Sequence, residues 1–284
     1  MASNIAMVQI AIITGGSSGM GLDVAQRLNS TADWKVHIIG SNKQRGEAAA
    51  SALINTTFHQ ADVSNYQQQA AVFDKIFTDN GRLDFVFANA GIAQDPGAFF
   101  STHETGIPPE PNIDSLVDTN LNGAIHTSYL AMHYFRRSPP ESRGSRHLVL
   151  TSSIGGCIHV CRRRFIRRRS VYGLVGFIRS IGEKLWEEGI KVNAICPGVV
   201  ETPLLTPELK SIFGKSLVPI SSVTDVVMEV LSGNEMIDSK GVAVSGEELH
   251  SRAILISGTN RYFVEMPEMY DEETRITQEA MMGG

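Results

Sequence analysis

The chain of 284 residues is 42% hydrophobic and 19% charged, with 25 Lys and Arg against 30 Asp and Glu. This length suits one large α/β domain or two small ones, and the composition excludes collagen-like, coiled-coil and wholly disordered proteins. The net charge of −5 argues against a general nucleic-acid binder, which needs a basic surface. Six arginines are nevertheless concentrated in residues 162–169: Arg162, Arg163, Arg164, Arg167, Arg168 and Arg169.

Three cysteines, Cys157, Cys161 and Cys196, are too few for a disulfide framework and indicate a reducing compartment. His159 lies between the first two, but no second Cys/His pair follows at zinc-finger spacing, so we predict no metal site. No apolar run reaches the roughly 18 residues that a membrane span needs, and residues 1–15 lack the basic start of a signal peptide. We therefore expect a cytoplasmic protein that binds neither membranes nor nucleic acid.

Short apolar runs alternate along the chain with segments of helical periodicity. The apolar runs predict strands over residues 8–13, 36–40, 84–88, 147–151 and 191–195. Helical periodicity marks residues 22–28, 47–53, 113–135 and 174–186. This alternation predicts an α/β fold, a single doubly wound Rossmann-type domain with a central parallel sheet over residues 1–262. Residues 263–284 are predicted to form an acidic, Met-rich C-terminal tail that is peripheral or frayed.

A glycine-rich turn separates the first predicted strand from the first helix. Its spacing is Thr-Gly-x-x-x-Gly-x-Gly, and such turns set backbone N–H groups and a helix N-terminus against a pyrophosphate. The strand before the turn and the helix after it favour dinucleotide binding over a tight turn without a ligand. The cofactor-binding residues predicted here are Gly15, Ser17, Ser18, Gly19, Met20 and Gly21.

With the motifs that follow this turn, the sequence resembles the short-chain dehydrogenase/reductase family over roughly residues 5–262. The matching motifs, in family order, are Asp62-Val63, Asn89-Ala90-Gly91, Asp118-Thr119-Asn120, Ser152-Ser153 and Pro197-Gly198-Val199-Val200-Glu201-Thr202. The pattern after Val244-Ser245-Gly246 is similar to the branch near the prostaglandin dehydrogenases.

The resemblance implies a cofactor role for several of these residues. Asp62 would cap the adenine ring, Asn89 would line the ribose side, and Val200 and Thr202 would hold the nicotinamide amide. The matching motifs add three residues to the predicted cofactor-binding set: Val63, Gly91 and Pro197.

The choice between NAD and NADP depends on the end of the second strand. An acidic residue there would bond the ribose 2′-OH of NAD. The sequence has Gly40-Ser41-Asn42-Lys43 instead, with Arg45 close behind, and no carboxylate that would repel a 2′-phosphate. We predict NADP over NAD, although the two basic residues could equally belong to a solvated helix start.

Carbonyl reduction in this family uses a tyrosine acid and a lysine four residues later, whose charge lowers the tyrosine pKa. A serine polarises the carbonyl and an asparagine holds a water, and Ser153 and Asn120 match these two roles. The Tyr-x-x-x-Lys pair is absent, because alignment on the following helix puts Arg167 and Val171 at its positions. Arginine, with a pKa above about 12, cannot supply the proton. Tyr172 is the nearest phenol and becomes the third catalytic candidate, although no lysine follows it at four-residue spacing.

The genetic code offers one explanation for the missing pair. If the codons of Arg163–Ser170 are read two bases out of frame, they can spell Pro-Val-Tyr-Ser-Ala-Ser-Lys, a typical active-site string of the family. A local frameshift or mis-spliced exon edge near residues 157–171 is therefore one hypothesis. True divergence and a selected basic patch are the alternatives.

The sequence thus predicts an NAD(P)-dependent oxidoreductase that interconverts a secondary alcohol and a ketone by hydride transfer. Apolar residues in 203–218 favour a small to medium apolar substrate. The resemblance implies a homodimer or homotetramer through residues 113–135 and 174–186, whose apolar faces could also be core. The alternatives are a catalytically impaired or repurposed member, either a pseudoenzyme or a non-redox isomerase or cyclase, and an interaction module that keeps only the scaffold.

Overall fold

The fold is built around one large sheet with helices on both faces. The structure, a computed structural model, describes residues 8–93, 106–107, 113–142, 144–157, 165–205, 207–266 and 270–282. Within these ranges the side chains of 165–170, 208–209, 278–279 and 281–282 are not described.

The strands are β1 (Gln9–Thr14), β2 (Trp34–Gly40), β3 (Thr56–Gln60), β4 (Phe85–Ala88), β5 (Arg146–Thr151), β6 (Ile190–Pro197), β7 (Met236–Ile237), β8 (Ala243–Val244), β9 (Ala253–Ser257) and β10 (Asn260–Val264). The helices are α1 (Gly19–Asn29), α2 (Lys43–Ser51), α3 (Tyr66–Asn80), α4 (Asp114–Val117), α5 (Gly123–Arg137), α6 (Phe165–Glu187), α7 (Pro207–Phe213), α8 (Ile220–Ser232) and α9 (Glu272–Met282).

The eight-stranded sheet has the order β10-β9-β6-β5-β4-β1-β2-β3. Every neighbouring pair is parallel except β9 and β10, which form an antiparallel hairpin. Because β1 lies between β2 and β4, the strand order reverses there, and a crevice opens at the carboxyl ends of β1 and β4. The prediction of a doubly wound α/β fold with a central parallel sheet is confirmed.

Two apolar layers cover the two faces of this sheet. On one face, α3, α5 and α6 bury side chains such as Phe73, Phe135 and Leu174. On the other, α1 and α8 bury Leu28 and Val227. The apolar faces of the predicted helices 113–135 and 174–186 therefore form core, which was one of the two readings of their sequence.

The structure has elements that the sequence analysis did not predict, among them α3, α8, α9 and β9, and three further differences have a clear physical reason. The predicted helix 113–135 contains a five-residue π turn, Asp118–Asn122, between α4 and α5. Strand β3 is polar and half-exposed at the sheet edge, so it lacks the apolar run by which the other strands are recognised. Strand β10 includes Phe263 and Val264, which the sequence analysis assigned to the tail.

Candidate active site and dinucleotide site

The glycine turn lies at the strand-order reversal, between the end of β1 and the start of α1. Gly15 and Gly19 have φ angles of +67° and +54°, a backbone conformation that favours glycine. A Cβ on Gly21 would lie 2.6 Å from the carbonyl oxygen of Gly15, so the first turn of α1 rests directly on the turn backbone. Ser18 is the extended N-cap of α1, and its side chain makes no capping hydrogen bond. The N-terminus of α1 is thus suited to receive an anion.

The first turn of α2, just beyond the end of β2, carries a basic group next to the glycine turn. The Arg45 guanidinium donates from Nε to the Oγ of the buried Ser17 at 3.3 Å. Asn42 caps α2 by accepting the Arg45 backbone N–H at 2.9 Å, which fixes the start of the helix that carries Arg45. Met20, on the other side of the turn, packs against the core.

Asn89 connects the carboxyl ends of three strands. Its Nδ2 donates to the carbonyl oxygen of Thr14 at 3.2 Å, and its Oδ1 accepts from the Thr151 hydroxyl at 3.1 Å. The Thr14 hydroxyl in turn accepts the backbone N–H groups of Asn89 and Ala90, at 3.0 and 3.1 Å. Sequence reasoning identified Asn89 but not the two threonines, whose only signal was a hydroxyl at a strand end.

Asn120 lies in the π turn and clamps the backbone beyond β4. Its Oδ1 accepts the Ile92 N–H at 2.8 Å, and its Nδ2 donates to the Ile92 carbonyl at 3.0 Å. A Cβ on Gly91 would lie 3.2 Å from the Asn120 Oδ1, so these two predicted residues are brought together. Interruptions of this kind in an α-helix are frequent at functional sites.

Ser153 follows β5 and begins a short 3₁₀ turn, Ile154–Gly156. Its hydroxyl accepts the Gly155 N–H at 3.3 Å, and the residue is half-buried. The preceding Ser152 is buried and donates from Oγ to the Val171 carbonyl at 2.9 Å. The serine segment is therefore held against α6 through Val171.

Helix α6 carries the two positions where the family pattern expects tyrosine and lysine. Val171 is buried, whereas Tyr172, about 100° further around the helix, is 43% exposed. The side chain of Arg167 lies outside the described side chains, as do those of Arg168 and Arg169; residues 158–164, with His159, Cys161 and Arg162–Arg164, lie outside the described residues. The catalytic assignment of Tyr172 stays a prediction.

The segment after β6 lies against the glycine turn. Pro197 ends β6, and Val200 pairs with Val218 in an isolated bridge. A Cβ on Gly19 would lie 3.2 Å from the Thr202 Cγ2, so Thr202, one of the two predicted nicotinamide-binding residues, lies beside the predicted pyrophosphate turn.

Asp62 and Val63 lie beyond the end of β3. The Asp62 carboxylate accepts the N–H and the hydroxyl of Ser64, at 2.9 and 2.7 Å. Val63 is buried, and its Cγ2 would meet a Cβ on Gly123 at 2.9 Å. Asp62 itself is exposed at the rim of the crevice.

These residues fit a nicotinamide dinucleotide. Positive-φ glycines keep the turn free of side chains, the α1 N-terminus faces the crevice, and the described residues of the second strand end hold a guanidinium and no carboxylate. In the described part of the chain, no three His, Cys, Asp or Glu side chains gather where they could hold a metal ion. No helix among the described residues is long and apolar enough to cross a membrane.

The fold and the site thus define a Rossmann-type dinucleotide-binding protein. The family model described as short chain dehydrogenase matches residues 9–211. The chain is 37% identical over 273 residues to the short-chain dehydrogenase/reductase prx7 of Penicillium rubens, covering 92% of this chain and 95% of that protein. It is 28% identical over 228 residues to a Bos taurus 15-hydroxyprostaglandin dehydrogenase named for NAD(+), covering 77% and 79%.

A solved structure shares the fold. A short-chain dehydrogenase from Burkholderia cenocepacia, in complex with NADP, superposes with a TM-score of 0.71 at 19% identity, covering 90% of this chain and 99% of that one. The chain belongs to the short-chain dehydrogenase/reductase family and is an NAD(P)-dependent oxidoreductase of that class.

Proposed function

We propose that this protein interconverts a secondary alcohol and a ketone, with NADP as the preferred cofactor. The observation that supports the reaction is the position of three segments at the carboxyl ends of the strands. The Pro197–Thr202 segment reaches Gly19 of the glycine turn. The end of β5, which leads into the Ser153 turn, is joined to the residue before Gly15 by hydrogen bonds from Thr151 to Asn89 and from Asn89 to Thr14. A bound nicotinamide would supply or accept the hydride. The chain's own residues would bind and orient the reactants.

Each group in the crevice has a proposed task. The Ser153 hydroxyl would donate a hydrogen bond to the substrate oxygen, which polarises the carbonyl. The Asn120 side chain, tied to Ile92, would hold the backbone on which the water relay depends. Tyr172 is the phenol of this chain closest in sequence to the expected proton donor, and it lies one residue beyond Val171, which contacts the serine segment.

The NADP preference rests on Arg45. Its guanidinium is bonded to Ser17 of the glycine turn, so it lies at the strand end where an acidic residue would select NAD. The Burkholderia cenocepacia structure was solved with NADP, whereas the bovine prostaglandin dehydrogenase is named for NAD(+). The proposal therefore follows this chain's own residues.

The substrate is proposed to be apolar and small to medium in size. The loop beyond Thr202 exposes Leu204 and Ile212, at 50% and 72%. Exposed apolar side chains beside a cofactor crevice are suited to cover an apolar ligand. We also propose that the protein forms a homodimer or homotetramer, since α5 and α6 expose Tyr129 and Trp186 on their outer faces. Its proposed location is the cytoplasm.

The experiment measures binding and turnover separately on the full chain. NADPH and NADH binding is followed by nicotinamide fluorescence, and turnover of a panel of ketones with graded apolar chains by loss of the reduced-nicotinamide absorbance. Turnover that falls about 100-fold or more in Ser153→Ala and is lost in Tyr172→Phe supports the assigned roles. Binding without turnover contradicts the proposed reaction for the chain as it stands.

The double variant Arg167→Tyr with Val171→Lys then tests the cause of the missing pair. Gain of turnover in this variant means that only the tyrosine and lysine were lacking. The nucleotide sequence across Gly155–Gly173 decides independently between a reading-frame shift and true divergence: a shifted frame without Tyr-x-x-x-Lys rules out the shift.

A further inference from the structure

Two thiols lie together beside the serine segment. Cys196 is the last residue but one of β6 and is fully buried, whereas Cys157, directly after the 3₁₀ turn that Ser153 begins, is half-buried. They belong to one small apolar cluster with Val175 and Ala253. Cys157 packs against the part of this cluster that holds Cys196, which brings the two thiols within reach of a thiol–thiol hydrogen bond.

Ser152 anchors the pair to the sheet and to α6. Its hydroxyl donates to the Val171 carbonyl at 2.9 Å, one helical turn before Val175 of the same cluster. Its backbone N–H donates to the carbonyl of Ile195 at 2.8 Å, so the residue before Cys196 is held in register. The approach of the two thiols is therefore part of the packed structure.

The surroundings shift the pKa values of the two thiols in opposite directions. The hydrogen bond with Cys196 lowers the pKa of Cys157, and the positive charge of Arg179 lowers it further against the opposing effect of burial. The same hydrogen bond, together with burial, raises the pKa of Cys196 well above its ordinary value. Cys157, which is half-buried, is thus the thiol that loses its proton more readily, and the buried Cys196 is the one that holds its proton more tightly.

We propose that Cys157 and Cys196 form an oxidative modification site whose substrate is a hydroperoxide. The Cys157 thiolate attacks one peroxide oxygen; an S–O bond forms as the O–O bond breaks, and the departing oxygen takes a proton from solvent. The sulfur is oxidised by two electrons to a sulfenic acid, and the peroxide is reduced to an alcohol or to water. Cys196 then attacks this sulfur, the S–S bond forms, and water leaves with the Cys196 proton.

The cross-link would join two parts of the active site. It connects the turn that follows Ser153 to the strand that leads into Pro197, with α6 enclosed in the loop between them. Reduction by a dithiol reverses it, which suits a protein of a reducing compartment. The site does not depend on turnover, so its test is independent of the proposed reaction.

The test uses the full-length folded chain, reduced and then exposed to hydrogen peroxide. Free thiols are alkylated, the protein is digested, and the peptides are mapped by mass spectrometry. We expect a Cys157–Cys196 linked pair that has lost two hydrogens and is restored by dithiothreitol. The same linked pair should form in Cys161→Ser, the matched variant that removes the third cysteine.

Single variants test the order of the steps. Cys196→Ser should accumulate a sulfenic acid at Cys157, trapped by dimedone, whereas Cys157→Ser should leave Cys196 unmodified because it is buried. Peptide mapping of the unsubstituted chain keeps the test valid if either variant does not fold. A disulfide between Cys157 and Cys161, or no oxidation of Cys157 in the folded chain, overturns the proposal.

Discussion

At the scale of single residues, the site depends on where side chains are absent as much as on where they are present. Gly21 places its Cα where any Cβ would lie 2.6 Å from the Gly15 carbonyl oxygen. In contrast, Gly176 in α6 has open space around the same position. Arg45, by contrast, matters for the side chain that is present: its guanidinium is bonded to Ser17 of the glycine turn, where we propose that it binds the 2′-phosphate of NADP. Substitutions at Gly21 and at Arg45 test these two roles separately.

Gly21→Ala is expected to destabilise the protein and weaken dinucleotide binding. The added methyl must displace backbone, and overpacking of this kind costs about 1–3 kcal/mol. The matched change Gly176→Ala, in the open middle of a helix, is expected to stabilise by about 0.5–1 kcal/mol. Urea unfolding and nicotinamide fluorescence measure both effects. Equal stabilities for the two variants would contradict the close approach at Gly21.

Arg45→Ala is expected to weaken NADPH binding about tenfold or more, because a charge-assisted bond to the 2′-phosphate is lost. NADH binding should change little, since NADH has no 2′-phosphate. Lys75→Ala, which removes a cation on α3 paired with Asp79, serves as the control. Equal losses for the two cofactors, measured by fluorescence titration, would refute the assigned preference.

At the scale of elements, the predicted site residues lie at the carboxyl ends of the strands, and a buried ion pair that stabilises the sheet lies at the amino ends. Thr14, Asn89 and Thr151 join β1, β4 and β5 at the crevice. At the opposite edge the buried Asp84 accepts the Ile10 N–H of β1 at 2.8 Å and two N–H groups of Arg82 at 2.9 and 2.6 Å. This carboxylate fixes the pairing of β1 with β4, the neighbours between which the crevice opens.

Asp84→Asn is expected to lower the free energy of unfolding by about 3 kcal/mol. Removing one partner leaves the other charge of a buried pair uncompensated, and the Arg82 side chain is only 11% exposed. The matched control is Asp225→Asn. The ion pair of Asp225 with Arg27 is half-exposed, so its loss should lower the free energy of unfolding by about 1 kcal/mol or less. Denaturant unfolding distinguishes the two; similar losses would mean that the Asp84 contacts carry no special weight.

At the scale of the whole molecule, buried histidines make the fold sensitive to acid. Burial lowers the pKa of His147 to about 3, with help from the charge of Lys191. Burial and the neighbouring His59 ring, whose Nε2 is 3.0 Å from the His37 Nδ1, lower the pKa of His37 to about 3. Both residues fold in the neutral form, whereas in the unfolded chain they take up a proton near pH 6.5.

These two histidines are therefore expected to lower the free energy of unfolding as the pH drops from 6.5 towards 3 and to leave it unchanged above about pH 6.5. Each such histidine contributes a slope of about 1.4 kcal/mol per pH unit in that window, because the unfolded state binds the extra proton. His147→Gln should remove the contribution of one histidine to this slope. His133→Gln, at an exposed position on α5, is the matched control variant. Denaturant unfolding of the unsubstituted chain and of both variants across pH 4–8 measures these slopes. Roughly equal slopes in all three proteins would contradict the prediction.

Much of this architecture could be predicted from the sequence because the signals are local. A β-branched run, a glycine turn and a helical period are each contained within about 20 residues, so the five apolar strands and the turn at Gly15–Gly21 could be recognised directly. The half-exposed β3 lacked such a signal, because Phe58 is its only apolar residue and the other four are polar. The π turn at Asn120 was also unpredictable, since its backbone depends on the contact with Ile92 from a distant strand end.

The sequence by itself determined the family and the doubly wound sheet, and it predicted Ser153, Asn120 and the glycines of the cofactor turn as site residues. It also determined that arginine and valine stand where the family places its tyrosine and lysine. Only the tertiary structure decided that Thr202 reaches Gly19, that Arg45 binds Ser17, and that Cys157 lies against Cys196. These contacts join residues 28 to 183 positions apart, and such a pairing is set by the packing of the sheet and its helices, which no local pattern encodes.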